Sequence, residues 1–173
     1  MTIKIAGPFG GNGGGWFNDL QPITQNFTGI NEIKKIKISK IEVKSGWVVD
    51  SIKFTYDLET NRGIVSIPGD KHGGDGGDKS TTVNLNDQEW LKAITGKYGP
   101  DNEGNVVVKF LEITTNLKPY KCGISYPTDT WFDLLVPSIL IGRTGNLVDA
   151  IGSLQIEQVK EQFQVQIEVP PKD

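Results

Sequence analysis

The chain has 173 residues and a formal net charge of −3, enough length for one domain that buries its own core. Its densest basic stretch, Lys34-Lys35 and neighbours, is too slight for a nucleic-acid surface, and no apolar run approaches the ~18 residues that cross a membrane. The 21 glycines follow no collagen-like period, so they serve turns and close backbone approaches, and Cys122, the only cysteine, leaves no intrachain disulfide and fits a reducing compartment.

Residues 1–6 alternate and predict a first strand. Met1 to Pro8 lack the apolar core of a secretory signal, so a cytoplasmic location is expected and the Asn26-Phe27-Thr28 sequon goes unused. Residues 7–15 form a glycine loop opened by Pro8, and Trp16 and Phe17 after it read as lid or core packing. Residues 18–32 are polar and predict no clear element. Ile36, Ile38, Ile41 and Val43 then alternate with solvent-facing lysines at 34, 35, 37, 40 and 44. Their change of phase after Ile38 predicts a bulge or a break. Ile52, Phe54, Tyr56 and Leu58 alternate with Ser51, Lys53, Thr55 and Asp57, the mark of a half-buried antiparallel strand. Asn61-Arg62-Gly63 turns it into a return strand, Ile64 to Ile67.

Residues 69–80 are a second glycine loop. It holds His72, the only histidine, read as a turn residue bonded to backbone. Asp70, Asp75 and Asp78 lie in or beside it, but their spacing is not that of an EF-hand, so no metal is expected. Val83 and Leu85 mark a short strand. Asn86 with Glu89 resembles a capping box, which by itself predicts a helix over 87–95. Gly96 to Pro100 and Asp101 to Gly104 read as turns, Val106 to Thr114 as a strand, and 120–130 as a loop. The apolar run 131–141, broken by Asp133 and Pro137, reads as strand, turn, strand. Ala150 to Ile156 is a strand. Phe163, Val165, Ile167 and Val169 predict one more over 162–169, ended by Pro170-Pro171. The chain is therefore nearly all β, with about ten to thirteen short strands.

The stretch that carries chemistry is Gly145-Asn146-Leu147-Val148-Asp149. A glycine allows a sharp turn, after which two backbone N–H groups and one carboxylate can converge on a point. Converging donors beside an ionised acceptor suit adjacent hydroxyls, each of which gives and takes hydrogen bonds. The competing reading is an aspartate that caps its own turn. Gly46-Trp47-Val48-Val49-Asp50 repeats the spacing, and the clusters Gly10 to Gly15 and Gly73 to Gly77 repeat as well, which predicts a repeated sheet unit with repeated sites. A Ser-His-Asp apparatus would have to use His72, and no nucleophile elbow accompanies it. Nothing marks a catalytic carboxylate pair, so no enzyme is expected.

These residues resemble a known family. Gly7-Pro-Phe-Gly-Gly-Asn-Gly-Gly14, Gly46 to Phe54, His72 to Gly77, Ile94 to Gly99, Thr114-Thr-Asn116 and Gly142 to Gly152 occur in the order seen in jacalin-related lectins. The resemblance implies a β-prism of three four-stranded antiparallel sheets about a pseudo-threefold axis, and it replaces the helix at 87–95 by strand and turn. It implies a lectin domain over 1–153; residues 154–173 extend past the family's usual end, and the alternation at 162–169 makes that extension an extra strand on the same domain. It further implies metal-independent carbohydrate binding without a cofactor. The main site would use Gly14, Asn146, Leu147 and Asp149, and a second would use Trp47, Val48, Asp50 and Gly77. The third loop, placed at Gly96 to Pro100, lacks an aspartate and is expected to be inactive. Met1 to Ala6 ahead of Gly7 match the uncleaved, mannose/glucose-preferring kind. The expected partners are mono- and oligosaccharides and glycoproteins, with a homo-oligomer as the assembly. The alternative is a protein-interaction or oligomerisation module on the same fold, with the 162–169 strand as its edge.

Overall fold

The computed structural model describes residues 2–25 and 33–157; the strand expected at 162–169 lies outside them. Among the described residues, thirteen strands and one helix follow in order: β1 (Thr2–Gly10), β2 (Gly15–Asn18), α1 (Leu20–Gln25), β3 (Ile33–Ser45), β4 (Val49–Thr60), β5 (Gly63–Pro68), β6 (His72–Gly73), β7 (Lys79–Asn84), β8 (Leu91–Pro100), β9 (Val106–Thr115), β10 (Pro119–Gly123), β11 (Thr130–Asp133), β12 (Ile139–Thr144) and β13 (Val148–Glu157). They form three antiparallel sheets, ordered β1-β13-β12-β2, β5-β4-β3-β7 with β6 also on β4, and β10-β9-β8-β11. This is the expected three-sheet prism.

Each sheet is built the same way. A central hairpin (β12–β13, β3–β4 or β8–β9) is flanked on both sides by strands from a second segment of chain, and the loop joining those flanks crosses the tip of the hairpin. In two sheets that crossing loop is glycine-rich. The chain closes the first sheet by bringing its N-terminal flanks, β1 and β2, onto the C-terminal hairpin β12–β13.

The alternating residues converge inward. Ile41, Val43, Ile52, Phe54, Tyr56, Leu58, Ile94, Leu111, Ile113, Leu140 and Ile151 are all essentially inaccessible. Each buried side chain of this size contributes about 1.5–3 kcal/mol of transfer free energy, which is what holds the sheets face to face. The phase change in β3 is a bulge, not a break: pairing with β4 shifts register between Ile38 and Lys40.

Residues 86–90 form a turn that leads into β8, as the resemblance implied and in place of the helix that the capping pattern alone predicts. Asn86 Oδ1 accepts the N–H groups of Gln88 and Glu89 at 2.8 and 2.9 Å. The Glu89 carboxylate accepts the hydroxyls of Thr115 and Tyr120, both at 2.7 Å, so it is not free to complete a helix cap. Other expectations need correction. Gly96 to Pro100 is strand, not turn; the hairpin tip is 101–105, where Asp101 Oδ1 accepts the N–H groups of Glu103 and Asn105. Residues 119–123 are strand β10 rather than loop, paired with β9 and too short to show a period. β1 runs on to Gly10, past a register shift between Ala6 and Phe9. The polar stretch after residue 18 contains α1, opened by the Asn18 side chain accepting the Leu20 N–H at 2.9 Å.

Candidate functional site

The two aspartate loops are the tips of two of the hairpins, and their backbones match bond for bond. Gly145 donates to the Leu147 carbonyl at 3.1 Å, and Gly46 donates to the Val48 carbonyl at 3.0 Å. Immediately after each tip, the aspartate carbonyl is taken by the crossing glycine loop: Gly11 N–H to Asp149 O at 2.9 Å, and Gly74 N–H to Asp50 O at 3.0 Å. These bonds fix the height of the glycine loop over the aspartate, so the carboxylate faces bare backbone. A Cβ on Gly13 would lie 2.5 Å from Asp149 Oδ1, and one on Gly76 would lie 2.8 Å from Asp50 Oδ1. Gly14 and Gly77 also have positive φ, +67° and +89°, where side chains are strained. The structure therefore brings Asp149 together with Gly14 beside the tip residues Asn146 and Leu147, and Asp50 together with Gly77 beside Trp47 and Val48.

The aspartate of the main cup is the less covered of the two. Asn146 is exposed and Asp149 partly so, while Asp50 is buried. Burial pushes the Asp149 carboxyl up from the ordinary value; the Arg143 guanidinium and the N–H groups of Gly145 and Asp149 itself pull it down, and the Asp101 charge adds to the rise. Asp149 thus does cap its own turn in part, as the competing reading holds, and still borders an open groove. That groove has a volume of about 1260 Å³ and reaches from Gly10 past Asn146 to the 101–105 tip. Asp50 is likewise raised by burial, lowered by Lys44 and raised again by Asp78. Its cup also contains Ser45 Oγ, which is buried and has no hydrogen-bond partner among the described residues.

Two supporting groups escaped the sequence reading. Arg143 Nε and Nη2 donate to the carbonyls of Gly13 and Gly14 at 3.0 and 2.9 Å, and its guanidinium lies 4.9 Å from the exposed Trp16 ring. A cation two residues before each loop glycine, Arg143 and Lys44, was the available signal. The second group is a buried knot between the glycine loops. Asp19, just after β2, receives the Tyr56 hydroxyl at 2.6 Å, and its other oxygen lies 2.6 Å from His72 Nε2. Phe17 stacks on His72 with centroids 3.6 Å apart. Burial first, then the Asp19 charge, holds the Tyr56 hydroxyl well above its usual range. His72 therefore bonds a carboxylate rather than backbone.

In the third corner a lysine and a tyrosine take the places of the aspartate and the glycine. Ile124 N–H bonds the Lys109 carbonyl at 3.1 Å, which puts Lys109 where the other corners have aspartate. The third loop therefore ends at Lys109, not Pro100. Tyr126 stands where Gly13 and Gly76 stand. Lys109 Nζ lies 4.3 Å from its ring, donates to Pro100 O at 2.8 Å and pairs with Asp129 at 3.2 Å.

Residues 6–154 match the model of the jacalin-like lectin domain. The chain belongs to the jacalin-like lectin family. Horcolin from Hordeum vulgare is 32% identical over 159 residues, covering 87% of this chain and 94% of horcolin. Among solved structures, a mannose binding jacalin related lectin from Ananas comosus matches with a TM-score of 0.67 and 25% identity, over 90% of this chain and 99% of that one. The artocarpin–mannotriose complex matches with a TM-score of 0.67 and 26% identity over the same shares. The family is one of carbohydrate-binding proteins, not enzymes, and this lectin's fold is theirs.

Proposed function

We propose that this lectin binds mannose/glucose-type glycans without metal, through Asp149, Gly14, Asn146 and Leu147, with a second site at Asp50, Gly77, Trp47 and Val48. The observation that carries the reading is the Asp149 carboxylate held against side-chain-free backbone at the mouth of an open groove. Its oxygens accept two neighbouring hydroxyls, and the exposed tip supplies backbone donors to the same sugar. Metal independence follows from the donor set: one carboxylate ringed by N–H groups falls short of the six to eight oxygen ligands a hard cation takes. Mannose is favoured because the solved relatives named above are described with mannose or mannotriose.

A few hydrogen bonds of about 0.5–1.5 kcal/mol each give a monosaccharide Kd of about 1 mM. Calorimetry with mannose, glucose and galactose, with and without chelator, tests this against Asp149→Ala. Mannose and glucose should bind best, chelator should change nothing, and the variant should lose the main site, at least tenfold weaker there, while binding at the Asp50 site persists. Unchanged binding by the variant would remove the main site.

Glycoproteins bearing such glycans are the proposed natural partners, and a homo-oligomer the proposed assembly. The reading as an interaction module draws on the edge strand β1, whose Ile3 and Ile5 are 48% and 63% exposed.

A further inference from the structure

The two cups share a wall. Trp47 and Val48 line the groove that holds Gly13, Gly14, Asn146 and Asp149, and they also line the depression that holds Ser45, Asp50, Gly77 and Asp78. The loops themselves touch: Gly74 of the second glycine loop sits so close to the Asn146 carbonyl of the first tip that no Cβ would fit. Between them stands an indole that is 73% exposed. An exposed tryptophan by itself means little. One that forms the shared boundary of two hydroxyl-binding cups has a defined use, because the C–H face of a pyranose gains by leaving water against an aromatic face.

Building on the lectin reading, we propose that the ligand is an oligosaccharide that engages Asp149 and Asp50 at once, with an intervening sugar stacked on Trp47. The second contact is then intramolecular. Its benefit is greatest when the chain length matches the span and vanishes when the chain is too short. Selectivity thus rests on chain length, with Trp47 as the residue that sets it.

Backbone amide NMR titrations with methyl mannoside and with linear mannose oligomers of two to five residues test this. Methyl mannoside should shift the amides around Gly14 and Gly77 with two independent midpoints. An oligomer of sufficient length should shift both groups with one shared midpoint, at one oligosaccharide per chain, and bind at least about 100-fold more tightly. Asp50→Ala should abolish the gain with length. Trp47→Ala should cut the oligomer-to-monomer affinity ratio at least tenfold, and Trp47→Phe should restore most of it. Two oligomers per chain at every length, or an unchanged ratio in Trp47→Ala, would overturn the bridging while leaving the lectin reading intact. No binding by any saccharide would overturn both.

Discussion

At the scale of single residues, the decisive feature is a carboxylate held partly out of water. Burial raises Asp149 and Asp50 above 3.8, the ordinary aspartate value. The sign matters. Above those raised values both groups are charged, which suits the hydroxyl donors of a sugar but works against folding. As pH falls toward 3.8 the folded chain takes up these protons before the unfolded chain does. The sugar should therefore be lost at a pH above the ordinary aspartate range, while the folding cost of these two charges is relieved. Calorimetric titration from pH 7 to 4 should show affinity falling in that window, and the melting-temperature gap between wild type and the Asp50→Asn/Asp149→Asn variant should narrow. Gly14→Ala tests the bare wall: positive φ and an Asp149 oxygen 2.7 Å from the new Cβ should weaken sugar binding at least tenfold by calorimetry. Tyr56→Phe leaves a buried Asp19 oxygen and the Leu140 N–H without the hydroxyl they share. The expected loss, about 1–3 kcal/mol in denaturant unfolding, reflects the cost of unsatisfied buried groups.

At the scale of elements, the three hairpins show one backbone plan put to two uses. The glycine loops leave room for a ligand over β4 and β13. Over β9 the crossing loop contains Tyr126 and Pro127, and Lys109 turns to Asp129, whose side chain is 2% exposed. That corner supports the fold. Lys109→Met should leave sugar affinity unchanged by calorimetry and cost about 3–5 kcal/mol in unfolding, because it strands a buried carboxylate; adding Asp129→Leu should recover part of it. The hairpin strands were legible because long alternations such as Ile52 to Leu58 show their period. β10 and the 86–90 turn were not. Five residues show too little pattern, and Asn86 with Glu89 serves a turn as readily as a helix when Thr115 and Tyr120 capture the glutamate.

At the scale of the molecule, the sites sit at one end of the prism and the last described residue sits at the other. Glu157 is nine residues along β13 from the tip, about 30 Å of strand. Removing residues 158–173 should therefore leave sugar affinity within about twofold by calorimetry. Light scattering on the same protein tests the interaction reading: a smaller assembly would assign the removed segment to an interface, and an unchanged one would leave the exposed β1 edge as the surface to probe with Ile5→Lys.

The sequence by itself determined the all-β class and the repeated aspartate loops and glycine clusters, because strand period and glycine placement are local properties of the chain; the three-sheet plan and the pairing of loop with cluster came through the resemblance of its ordered motifs to jacalin-related lectins. Only the tertiary structure decided that Lys109 fills the third corner, that His72 and Tyr56 meet on Asp19, that Arg143 holds the glycine loop, and that Trp47 stands between two cups. Those contacts join residues 9 to 130 positions apart, and charge, aromatic stacking and desolvation act over a few ångströms of space, whatever their distance along the chain.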